Sequence, residues 1–179
     1  MVNRIENGDG PTSGQKSGEK LTRGRNSYYS EGKVSGVFNY RSGVKNGPTQ
    51  LLHENGKILI SGQHRGGKMT GTWYYYGLNG EVTDVVDYVN DLRHGEWIGF
   101  YPSGGLLEIV HYQRDKKHGL YKRFTMSGKI NLTGRYRQDK KVGLWRVYHH
   151  DTGEYIRTEK WDNDVLIGVS DTQWSKTGG

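Results

Sequence analysis

A glycine returns every 24 residues through the middle of this chain, at Gly47, Gly71, Gly95, Gly119 and Gly143, and no other feature narrows the accessible folds as far. A fixed period of that length means a stack of small units, none of which buries an apolar face alone. Two places after each glycine stands an aromatic residue, at Trp73, Trp97, Tyr121 and Trp145, and three further on another, at Tyr76, Phe100, Phe124 and Tyr148. A second glycine follows at Gly56, Gly80, Gly104 and Gly128, then a branched aliphatic residue at Ile58, Val82, Leu106 and Ile130. A late aromatic, at Tyr88, Tyr112 and Tyr136, precedes Asp91, Asp115 and Asp139, which lead into the turn back to the next glycine.

The frame extends outward. Gly143 to Gly168 keeps Trp145, Tyr148, Gly153, Trp161 and Asp164 with one residue inserted, and Gly24 to Gly47 keeps Tyr29, Gly32, Val34 and Tyr40 with one deleted. The unit from Gly47 departs most, with Thr49, Leu52 and His64 in place of its aromatics.

Alternation in the second half of each unit puts Val82, Val86 and Tyr88, or Leu106, Val110 and Tyr112, on one side of a strand, and Thr83, Asp87, His111, Arg135 and Arg137 on the other, wetter side. Asn79-Gly80, Ser103-Gly104 and Ser127-Gly128 supply residues for tight turns between strands. Glycines interrupt every window long enough for an apolar helical stripe. The expected fold is therefore all-β: an elongated, solenoid-like array of consecutive antiparallel hairpins over residues 24–168, after a disordered arm over 1–23 and before a cap or tail over 169–179. Only 32% of the residues are hydrophobic, too few for one thick core but enough for a thin row of aromatics shared between neighbouring units. Tyr88, Tyr112, Tyr136, Trp73, Trp97, Tyr121, Trp145 and Trp161 make that row. Positions two and five after the glycine differ by an odd number, so a regular strand sends them to opposite faces.

Gly95-Glu96-Trp97, Phe100-Tyr101, Gly104, Tyr112 and Asp115-Lys116-Lys117-His118-Gly119, echoed by Gly143-Leu144-Trp145 and Tyr148, resemble the MORN (membrane occupation and recognition nexus) repeat, and more closely its bacterial variant in the YwqK-type antitoxin proteins. The resemblance spans about residues 24–168. It implies a hairpin-repeat fold and a protein partner, a toxin to be neutralised; the MORN name itself suggests the alternative of anionic lipid headgroups, with nucleic acid as another anionic ligand.

Charge is banded. The net charge is +7, and residues 119–142 hold Lys122, Arg123, Lys129, Arg135, Arg137, Lys140 and Lys141 against Asp139 alone. Arg93, Lys116, Lys117, Lys140 and Lys141 occupy equivalent turn places, so a basic patch with a ridge beside it is the candidate partner-binding surface; a solvated face and a guard on exposed strand edges are the competing readings. His94 and His118 also sit at equivalent turn places, but a separation of roughly 10 Å over two strands is too long for one shared zinc ion. His149 and His150, adjacent on an expected strand, should point to opposite faces. No metal site, cofactor or catalytic constellation is expected: the nucleophile elbow, the phosphate loop and the His-Glu-x-x-His pattern are all missing. The chain has zero cysteines, which excludes disulfides and thiolate chemistry. With neither a signal-peptide core nor a transmembrane stretch, a cytoplasmic location is expected.

Overall fold

The computed structural model describes residues 4–6 and 22–171, with side chains from residue 24. Among the described residues every regular element is a β-strand, and each strand pair is antiparallel. The residues group into two compact units. The first contains β1 (Arg4–Glu6), β2 (Thr22–Tyr28), β3 (Val34–Arg41), β4 (Val44–Leu52), β5 (Ile58–Arg65) and β6 (Lys68–Tyr76), in sequence order. The second contains β8 (Leu92–Phe100), β9 (Leu106–Gln113), β10 (Lys116–Phe124), β11 (Ile130–Arg137), β12 (Lys140–Tyr148), β13 (Tyr155–Asp162) and β14 (Val165–Ser170), likewise in sequence order. Residues of β7 (Val82–Val89) are divided between the two units. Arg4–Glu6 pairs with Asn26–Tyr28; the remainder of the expected arm up to residue 21, and the tail from 172, lie outside the described residues.

The 24-residue period has a backbone cause. In each of β4, β6, β10 and β12 the periodic glycine lies in a bulge where four residues of its own strand oppose two of the preceding one: Tyr112 faces Lys117 and Val110 faces Tyr121, with Gly119 between, and Tyr40 and Phe38 face Lys45 and Thr49 around Gly47. Within these bulges φ is +111° at Gly47, +109° at Gly119 and +68° at Gly143. A side chain would be strained there, so glycine recurs wherever the strand must bulge.

The turns divide differently from the expectation. In the second unit the tight two-residue turns are Arg114-Asp115, Gln138-Asp139 and Asn163-Asp164, both residues of each at positive φ, as a type I′ hairpin turn demands. Asn79-Gly80, Ser103-Gly104 and Ser127-Gly128 belong instead to longer loops, closed by Gly77 N–H to Glu81 C=O (2.9 Å), Tyr101 to Gly105 (2.7 Å) and Thr125 to Lys129 (2.8 Å), and only their glycines take positive φ. The Asp side chain, held by a bond described below, supports the left-handed pair without glycine.

In the second unit Val110, Tyr121 and Trp145 form a buried cluster against which Trp97, Tyr112, Leu132, Tyr136 and Trp161 pack. Trp145 is completely buried. Its indole lies on Gly134, where a methyl group would overlap the ring, and it meets the ring of Tyr136 edge-on at 5.0 Å and that of Tyr121 at 5.4 Å. The cluster holds the aromatics at position two and the late aromatics; Phe100, Phe124 and Tyr148 are not in it. Tyr148 packs edge-on against Tyr155 at 6.1 Å, away from the cluster. Odd spacing therefore does separate the two aromatic rows. The partner strand also bulges beside the second row, since Gly99 faces Glu108 while Phe100 faces Leu106, leaving Leu107 unpaired. That bulge ends the strict alternation expected of Leu106, Val110 and Tyr112.

In the first unit Trp73 lies on Gly62 in the same way, with the rings of His64 and Tyr88 at 5.1 and 6.3 Å. The aberrant unit from Gly47 keeps the common register, Gly47 facing His64 and Thr49 facing Gly62. A hydrogen-bond contact of 2.9 Å between Thr49 Oγ1 and His64 Nδ1 replaces the aromatic contact, and burial, reinforced by Lys45, holds the His64 imidazole below its ordinary pKa. A cavity of about 350 Å³ opens nearby among Arg25, Ser27, Phe38, Lys45, Leu51 and Leu52.

Candidate partner-binding surface

The expected basic ridge divides into two sets of side chains with different fates. Arg93, Lys117 and Lys141 lie over aromatic faces: Arg93 over Tyr112 at 4.2 Å, Lys117 over Tyr136 at 5.1 Å, and Lys141 over both Trp145 and Trp161 at 4.6 and 4.4 Å. Cations so placed are attracted by the ring quadrupole and cover the edge of the aromatic row. Their backbones are tied as well. The carboxylates of Asp115, Asp139 and Asp164 accept from the N–H groups of Arg93 (2.9 Å), Lys117 (2.8 Å) and Lys141 (2.7 Å), and Asp91 accepts from Met69 (2.7 Å) in the first unit. The three basic residues are thus tied into the repeat scaffold and half-buried, while their neighbours Lys116 and Lys140 stay exposed.

The opposite ends of the hairpins are latched in a parallel fashion. Lys57 Nζ donates to Asn79 O (2.8 Å), Tyr101 Oη to Phe124 O (2.8 Å), and Lys129 Nζ to the carbonyls of Asp151 and Thr152 (2.9 and 3.1 Å). Lys129, the remaining cation of the basic band, is thus held by the neighbouring turn.

Lys122 and Arg123 part company because consecutive residues of a strand face opposite ways. Arg123 sits opposite Leu132 and Glu108, beside the aromatic cluster; the Glu108 carboxylate accepts from Tyr121 Oη (2.7 Å). Burial first, and this bond second, raise the Tyr121 phenol pKa, and burial also raises those of Tyr112 and Tyr136.

Lys122 pairs with Thr133, whose partner on the other side is Arg146. Arg135 lies two residues along, opposite Leu120 and Val142, and Arg137 lies opposite Lys140. Lys122, Arg135, Arg137, Lys140 and Arg146 thus occupy one face of three adjacent strands. No ion pair engages any of the five among the described residues. The exposed Leu120 adds apolar area at the edge of this patch. The sequence reading missed Arg146, although it stands 24 residues after Lys122 and shares its place in the repeat.

The two adjacent histidines also correct their expectation. His149 and His150 follow β12 rather than lying in it, and their rings sit 4.9 Å apart in a tilted stack; turn geometry, not strand alternation, orients them.

No helix among the described residues is long and apolar enough to cross a membrane. Residues 93–114 match the family model of the MORN repeat variant. That match covers β8 and β9, and its register, Gly95 facing Tyr112 and Trp97 facing Val110, recurs as Gly119 facing Tyr136 and Tyr121 facing Gly134. No curated protein matches the chain. MORN repeats are generally non-catalytic binding modules.

Proposed function

We propose that this chain is a non-enzymatic binding array whose second unit docks an acidic surface of a protein partner through Lys122, Arg135, Arg137, Lys140 and Arg146. The observation that carries this reading is the division among the cations: Arg93, Lys117 and Lys141 are spent on aromatic rings, whereas five others converge on one face without an ion pair among the described residues. The resemblance to YwqK-type antitoxins supports a toxin as the partner and neutralisation by direct binding in the cytoplasm as the proposed role. A protein suits the face better than nucleic acid. The aromatics that could stack on bases, Tyr121 and Trp145, are buried, and single-strand binders interleave exposed aromatics with cations. The patch is also local, because β8 and β9 carry Ile98, His111 and Gln113 at the corresponding places.

The test compares the wild type with an Arg135→Glu, Arg137→Glu variant. Partner capture from the source cell, followed by association kinetics, should show slower association of the variant by about tenfold at low salt, with the gap narrowing as salt rises. Labelled nucleic acid and anionic liposomes run alongside. Tight binding to either at physiological salt, lost in the variant, would replace the protein partner with that ligand.

A further inference from the structure

We infer that the turn carrying His149, His150 and Asp151 is a surface site for a late first-row divalent cation of the zinc class. Its backbone differs from that of the other loops. His149 N–H donates to Glu154 C=O at 2.8 Å, a span one residue longer than those from Thr125 to Lys129, Tyr101 to Gly105 and Gly77 to Glu81. The insertion that stretches the interval from Gly143 to Gly168 therefore falls in this turn, and the enlarged loop brings the two imidazoles side by side.

One donor atom from each of His149, His150 and Asp151 lies within 4.8 Å of the other two. The Nε2 of His150 is already 3.0 Å from the Asp151 carboxylate. Zinc bonds of about 2.0–2.2 Å to nitrogen and oxygen require donors roughly 3.3 Å apart, so the set must close by only about 1–1.5 Å. The side chains of His150 and Asp151 are 72% and 71% exposed, free to make that adjustment. Two imidazoles and one carboxylate suit zinc, nickel or copper rather than calcium or magnesium, which prefer all-oxygen shells; water would complete the coordination.

Two local features oppose the cation without closing the site. His149 Nδ1 accepts long contacts from the N–H groups of Asp151 (3.3 Å) and Thr152 (3.4 Å), which a metal bond would displace at little loss. Lys129 brings a positive charge, but its ammonium is held on the carbonyls of Asp151 and Thr152 and leaves the carboxylate open. Lys57 performs the same latching on Asn79 in a loop with no such histidine pair, so Lys129 belongs to the scaffold.

The experiment is calorimetric titration of the tag-free full chain with Zn²⁺ at about pH 7.5, with Mg²⁺ as the comparison. One-to-one Zn²⁺ binding, weakened at least tenfold by His149→Ala and by His150→Ala and not matched by Mg²⁺, is expected. The melting curve of His150→Ala should coincide with that of the wild type because its side chain is exposed; His149→Gln replaces His149→Ala if that variant, whose ring is half-buried, melts lower. Absence of Zn²⁺ binding by the wild type, or binding that survives the double substitution and transfers to His53, His64, His94, His111 or His118, would overturn the site.

Discussion

Asp115 and Arg93 clasp each other across two strands: the Asp115 N–H donates to Arg93 C=O (3.0 Å), and the Asp115 Oδ1 accepts both from the Arg93 N–H (2.9 Å) and from its Nε (3.0 Å). The same reciprocal backbone pairing joins Asp139 to Lys117 and Asp164 to Lys141 in the second unit, and Asp91 to Met69 in the first. A tight turn leaves N–H groups at its rim that need acceptors. A carboxylate 22 or 23 residues downstream supplies one and fastens each turn to the one before it.

The clasp gives a pH dependence with a defined sign. The backbone bond from Arg93 first, and its side-chain bond second, hold the Asp115 carboxyl below its ordinary pKa. Stability from a depressed carboxyl is present above the unfolded value near 4 and is lost as pH falls through the lower folded value. Asp115→Asn should lower stability at neutral pH by about 1 kcal/mol, a charge-assisted bond discounted for the exposure of the pair. Chemical denaturation at neutral pH and near pH 3 checks this: the gap between variant and wild type should shrink in acid.

Trp145→Ala should destabilise the second unit by about 3–5 kcal/mol, the usual cost of truncating a fully buried aromatic. Trp97 is only partly buried and should lose less on the same change. Gly134→Ala removes nothing, yet it should also destabilise, because its methyl group would overlap the Trp145 indole. Denaturant midpoints for the three variants would reveal the order.

Gly119→Ala tests the backbone cause of the period. With φ at +109° and an added Cβ 3.2 Å from that of His111, alanine should cost about 1–3 kcal/mol of backbone strain. Gly24, at an ordinary φ and with open space around it, should tolerate alanine within experimental error.

The Tyr121 phenol predicts behaviour at the alkaline end. A raised folded pKa keeps the proton where the unfolded chain would release it, so stability holds below about pH 10 and falls as pH rises beyond it. Ultraviolet titration should show Tyr121 ionising only with unfolding, after exposed tyrosines. Tyr121→Phe, which removes the bond to Glu108, should remove that delayed component.

Much of the fold was legible because it is periodic. Gly47, Gly119 and Gly143 recur since each occupies the same bulge at positive φ, and Trp73 and Trp145 recur since each lies on a glycine of the preceding strand. One-dimensional repetition leaves such local requirements visible as spacing. The candidate surface was less legible, because facing depends on bulges and on cross-strand neighbours that no spacing displays.

By itself, then, the amino-acid order determined the strand class, the hairpin unit, the aromatic row and the basic band around residues 119–142, all of which follow from local backbone demands repeated at 24 residues. Only tertiary structure decided which cations are available. Lys141 and Lys140 are consecutive and chemically alike, yet one lies over Trp145 and Trp161 while the other stands opposite Arg137 on the outer face. The difference is set by the pleat, the two-residue bulge at Gly143 and the aspartate clasp, which join residues distant in the chain and fix the direction of each side chain.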